Sequence, residues 1–234
     1  MSRDAIGYLE TVIRPSVETD IVRIAAYHGR RQRVGNGGHF SVPRDVFCCV
    51  DHLGYIAFGD KSSTTRGVRF IARYFPSRYG ALGGLVWAMW RHGVVHEYKP
   101  LSYHAPLPAA SCGRAEVRWV STNHNRKRER AQHMLPFTAD GEPDTVLIVS
   151  NTCQLADDLM AALDRFISDL QSNPVLRREC SQRVADLSAV RDYTVVGGKS
   201  RDRVNRDIAN AWANRGGALD KRGSVTTLHP ASLR

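Results

Sequence analysis

The chain has 234 residues, 42% of them hydrophobic, enough to bury a sizeable core, and this excludes disorder throughout. Thirty-three Lys and Arg against 23 Asp and Glu give a formal charge of +10, which favours a polyanionic partner without naming one. The five cysteines show no paired metal spacing, and their odd number suits reduced thiols. No basic segment leads into an apolar core at the N-terminus, and no stretch approaches the roughly 18 apolar residues of a membrane span, so a soluble, cytoplasmic protein is expected.

Ile6, Leu9, Ile13, Val17, Ile21, Ile24 and Ala25 recur at helical spacing, so the first thirty residues read as helix, interrupted or restarted near Pro15. The basic RRQRVGNGGHF segment that follows holds Gly35, Gly37 and Gly38 and reads as a loop. It lacks the lysine and hydroxyl ending of a P-loop. Ser41 and Pro43 start a further helix whose apolar face, Val46, Phe47, Val50 and Leu53, runs to Gly54. Val68, Ile71, Ala72 and Phe75 repeat the spacing up to Pro76, and Tyr79 to Trp90 carry it once more. The first ninety residues therefore predict a helical bundle.

Pro106 and Pro108 mark a loop after this bundle, and Val117 to Val120 read as a short strand. The polar run NHNRKRER, Asn123 to Arg130, carries four positive charges against one negative; it reads as a solvated loop or as a phosphate contact. Met134 to Phe137 and Thr145 to Val149 flank a turn and predict a hairpin. Asn151 and Gln154 form a capping-box-like start for an amphipathic helix from Leu155 to about Gln171. From Ser172 onward twelve Lys and Arg stand against six Asp and Glu. The fold class expected is mainly α: a helical bundle over residues 1–171 with a small antiparallel β insertion at about 100–150. Residues 172–234 are expected to form a basic appendage, partly helical or disordered.

The densest chemistry lies in WAMWRHGVVHEYKP, Trp87 to Pro100. Arg91, His92 and His96 are groups suited to metal-free cleavage of RNA. An imidazole titrating near pH 6.5 can move the proton of a ribose 2′-hydroxyl, and a guanidinium can hold the charge developing on phosphate. Residues five apart on an ideal helix differ by about 140°, so sharing one phosphate requires a bend, for which Gly93 is placed, or a second chain. A structural alternative has Arg91 capping a helix that ends at Trp90 and His96 half-buried against a carbonyl. A metal alternative uses His92 and His96 with Glu97 or His104, but Gly93 stands where the zinc protease pattern needs glutamate.

Arg91, a polar residue at 92, three further residues and His96, set in a helical bundle, resemble the active-site motif of the HEPN superfamily of ribonucleases and related modules. The resemblance covers these six residues and the helical context of about 5–98 and 151–171. It implies Arg91 and His96 as the catalytic pair, His92 assisting, no cofactor and no metal, RNA as partner, and a homodimer that completes the site. Arg30, Arg31, Arg33, Arg126, Lys127, Arg128 and Arg130 would then hold the nucleic-acid backbone. The competing expectation is a catalytically silent module of the same architecture, binding nucleic acid or a partner protein in a bacterial multi-gene system.

Overall fold

A computed structural model of the chain describes residues 4–30, 40–80, 82–97, 101–106, 110–122, 126–139 and 141–188. The glycine-bearing loop with Arg31 and Arg33, and the part of the basic appendage beyond 188, lie outside the described residues.

Helix α1 runs without a break over 5–30. Pro15 has no N–H to donate within the helix, and on both sides of it the winding relaxes into π turns, Leu9–Ile13 and Val17–Val22. The helix therefore passes through the proline instead of restarting, and buries Ala5, Leu9, Val17, Ile21 and Ala25 along one stripe. Helix α2, Ser41–Phe58, continues past Gly54 and ends at Gly59, whose left-handed φ of 70° lets its N–H reach the Tyr55 carbonyl. Gly54 stays helical because its missing side chain is what admits the next helix: a Cβ there would stand 2.7 Å from the Arg66 carbonyl oxygen.

Helix α3, Ser63–Tyr74, starts under a Ser62 cap whose hydroxyl accepts from the Thr65 N–H. Its Gly67 lies under the Trp87 indole, and a Cβ would meet that ring at 2.1 Å. Trp87 is fully buried and set edge-on to Phe47, so it has no room to withdraw. Gly67→Ala is expected to cost about 3 kcal/mol in urea denaturation, the upper end of overpacking penalties, and a loss below about 0.5 kcal/mol would show that the indole moves freely. After a 3-10 turn at Ser77–Tyr79, helix α4 begins at Gly83–Val86 and continues through Trp87–Glu97.

The insertion is a four-stranded sheet: β1 Tyr103–Pro106, β2 Arg114–Thr122, β3 Pro136–Ala139 and β4 Glu142–Asn151, in the order β1-β2-β4-β3. The expected hairpin is β3 and β4. The sheet is mixed, however, and not purely antiparallel. The chain leaves β2, passes through the short helix α5, Lys127–Ala131, and turns back through β3, so β4 lies parallel to β2 with Glu116 opposite Thr145 and Thr122 opposite Asn151. Helix α6, Thr152–Ser172, follows β4 directly, with the Asn151 side chain accepting from the Gln154 N–H as its sequence signature indicates. It closes the bundle through Leu155, Leu159, Leu163, Phe166 and Leu170, all fully buried, and Phe166 meets Phe70 edge-on at 5.6 Å.

Helix α7, Pro174–Ser188, belongs to the stretch assigned to the appendage, yet it docks on the bundle. Its few apolar residues suffice because Cys180 and Val184 are buried in the main core, and Arg183 donates to the carbonyls of Ile56 and Ala57, satisfying the open end of α2.

Candidate functional site

Arg91, His92 and position 96 all lie in the Trp87–Glu97 segment, which is wound as a π-helix. Each N–H of such a helix bonds five residues back, so positions five apart stand one above the other. Positions 91 and 96 therefore share a face of α4, a relation that α-helical winding forbids. The expected helix end at Trp90 and bend at Gly93 are both replaced by this wider turn; Gly93 is buried inside it. Arg91 consequently does not cap a helix end, since the helix continues for six more residues. The side chain of His96 lies outside the described residues.

Arg91 reaches across to α2, where its Nη2 donates to Oδ2 of Asp51 at 3.2 Å. The other carboxylate oxygen accepts from Nε of Arg66 on α3 at 2.6 Å. Arg66 is further fixed through the carbonyls of Asp60 and Lys61 beyond the end of α2. One carboxylate thus holds two guanidiniums, with the three side chains only 13–19% exposed. Burial, the largest influence on the Asp51 carboxyl, pushes its pKa up. The hydrogen bond and charge of Arg66, with bonds from Arg91 and Ser63, more than offset that and hold it below the usual range. His92 stands outside this cluster with Nε2 3.3 Å from the Thr64 hydroxyl of α3. The neighbouring His52 contacts the Tyr8 hydroxyl at 3.1 Å, and burial lowers its pKa, favouring the neutral ring.

Of the basic run NHNRKRER, residues 123–125 lie outside the described residues, and the rest is not the plain loop expected. Lys127 to Ala131 form helix α5, from which Lys127 and Arg128 project exposed. Arg126 stands 3.9 Å from Glu129. Arg130 turns back to α6, where its Nε donates to Oε1 of Gln154 at 2.9 Å and its Nη2 pairs with Asp157. Arg30 closes α1, and its side chain is outside the described residues.

A second polar cluster lies beneath α5, and the sequence reading passed over it. The Asn151 N–H donates to Nδ1 of His133 at 2.9 Å, which leaves the ring proton on Nε2. That proton is given to the Tyr79 hydroxyl, 2.7 Å away, and Tyr79 in turn donates to Oδ2 of Asp158 at 2.9 Å. Oδ1 of Asp158 accepts from Gln154 Nε2 at 2.8 Å and from Arg78. Burial favours the neutral His133 ring and raises the Tyr79 phenol well above its ordinary value. The left-handed backbone of Met134, φ 62°, makes the turn that sends His133 inward.

Among the described residues, no group of three or more His, Cys, Asp or Glu stands together as a metal site. No helix among them is long and apolar enough to cross a membrane. No family model matches the sequence, and neither a curated protein nor a solved structure matches it.

Proposed function

We propose that this chain is a metal-independent endoribonuclease of the HEPN type, acting as a homodimer on RNA. The observation that carries the reading is the π-helical winding of Trp87–Glu97, which sets positions 91 and 96 on one face. In the mechanism proposed, His96 takes the proton from the 2′-hydroxyl or returns one to the leaving oxygen. Arg91, steadied by Asp51, stabilises the charge on the phosphorane, and His92 assists.

The shared carboxylate also favours a second reading, a catalytically silent nucleic-acid-binding module in which Arg91 serves the fold. Labelled RNA incubated with purified protein in EDTA separates the two. Arg91→Ala and His96→Ala, each shown to be folded, are expected to lose cleavage by about 100-fold or more. Cleavage at the wild-type rate in both variants would overturn the enzymatic reading, and RNA binding that falls steeply with salt but without cleavage would establish the silent module.

A further inference from the structure

An open cleft of about 500 Å³ lies between α5 and the 3-10 turn at Ser77–Tyr79, lined by Arg78, Lys127, Arg130, Ala131, His133 and Gln154. Three cations face it, and among the described residues no carboxylate lines it. Arg78 pairs with Asp158, which lies behind the wall at 3% exposed with its oxygens taken up by Arg78, Gln154 and Tyr79, whereas Arg130 pairs with Asp157, whose side chain is 48% exposed and stands outside the lining. Gln154 joins the two sides. Its amide nitrogen donates to Asp158, which holds Arg78, and its amide oxygen accepts from Arg130. The chain Arg78, Asp158, Gln154, Arg130 therefore fixes two guanidiniums from different elements, each with 27–34% of its side chain exposed. Guanidiniums held in this way lose little entropy on meeting an oxyanion, and Lys127 adds a mobile third charge.

We propose that this cleft is a phosphate-binding site, with Arg78 and Arg130 as the fixed arms and Lys127 closing over the anion. The rings of Tyr79 and His133 are both buried in the wall, so neither stands open to stack with a base and the cleft would recognise the phosphate itself. The neutral His133 ring forms the back of the site and contributes no charge. The proposal does not depend on Arg91 or His96.

Titration calorimetry at low ionic strength with inorganic pyrophosphate tests it on the full chain. Lys127→Glu, a change at an exposed side chain outside the buried network, is expected to weaken binding about tenfold or more with an unchanged melting temperature, while Lys127→Arg stays within about threefold. Arg130→Gln should weaken it as well. Arg91→Ala removes any pyrophosphate held at the proposed nuclease centre, so the binding that survives in Arg91→Ala and falls when Lys127→Glu is added to it belongs to this cleft. No binding up to about 10 mM pyrophosphate, or equal binding by Lys127→Glu and wild type, would overturn the proposal. A short RNA with a 5′-hydroxyl and a nucleoside diphosphate distinguish the sources: tighter binding of the RNA assigns the site to a backbone phosphodiester, and tighter binding of the nucleotide assigns it to a terminal phosphate.

Discussion

Asp51→Ala is expected to destabilise the protein by about 3 kcal/mol, a magnitude set by leaving two little-exposed guanidiniums without the charge that faces them. Asp51→Asn keeps the shape and one acceptor oxygen, and should cost less; urea unfolding of the two variants side by side measures the part that is charge. The pH profile of the wild type supplies a second readout. With the Asp51 pKa depressed in the folded state, the unfolded chain takes up the proton first as pH falls. The stabilisation is therefore complete above the ordinary carboxyl range near pH 3.9 and is lost as pH drops through the lower folded value. Asp51→Ala should flatten that acid limb. If it unfolds at the wild-type urea concentration, the two arginines are sustained by water and the carboxylate does not organise the site. Under the nuclease reading the same variant should also lose cleavage, because the Arg91 guanidinium no longer has a fixed position.

How much of this was legible in the sequence follows from which physical signals are local. Helix spacing, the Asn151 cap and the β3–β4 hairpin are written in neighbouring residues, and each stands where the pattern puts it. Gly54 and Gly67 looked like breakers or passed unremarked because their role is set by chains that approach from elsewhere, Arg66 and Trp87. The parallel pairing of β2 with β4 depends on the route through α5 and not on the composition of either strand. The π winding is hidden for another reason. Val86, Met89 and Trp90 satisfy an α-helical stripe as well as a wider one, and the only hint of the latter is the five-residue interval between Arg91 and His96. Asp51 and Asp158 did leave a trace, each a carboxylate inside an otherwise apolar helix face. A charge buried there requires a partner, and searching for that partner from the sequence would have drawn attention to the arginines of α3 and of the Ser77–Tyr79 turn.

The largest loss expected from a single side chain is at Trp90. Its ring is fully buried, lies parallel to Phe47 of α2 with centroids 6.5 Å apart, and meets Trp119 of β2 edge-on at 4.5 Å. It therefore joins the bundle to the sheet one residue before Arg91. The backbone repeats the connection, since the Leu101 N–H ahead of β1 donates to the carbonyl of Met89 at 3.2 Å. Trp90→Ala should cost about 4 kcal/mol, as large aromatic deletions in close-packed cores do. Part of that loss belongs to the pair, so a double-mutant cycle with Trp119→Ala should return a coupling of about 1 kcal/mol. Trp90→Phe should cost much less than Trp90→Ala, because it keeps a ring against Phe47 and Trp119 and gives up an indole N–H that has no hydrogen-bond partner among the described residues. Hydrogen exchange along Arg114–Thr122 locates the effect. If the indole carries the junction, amides of β2 lose protection in Trp90→Ala more than those of α6, whereas a uniform loss would mean that the residue contributes only bulk to the common core.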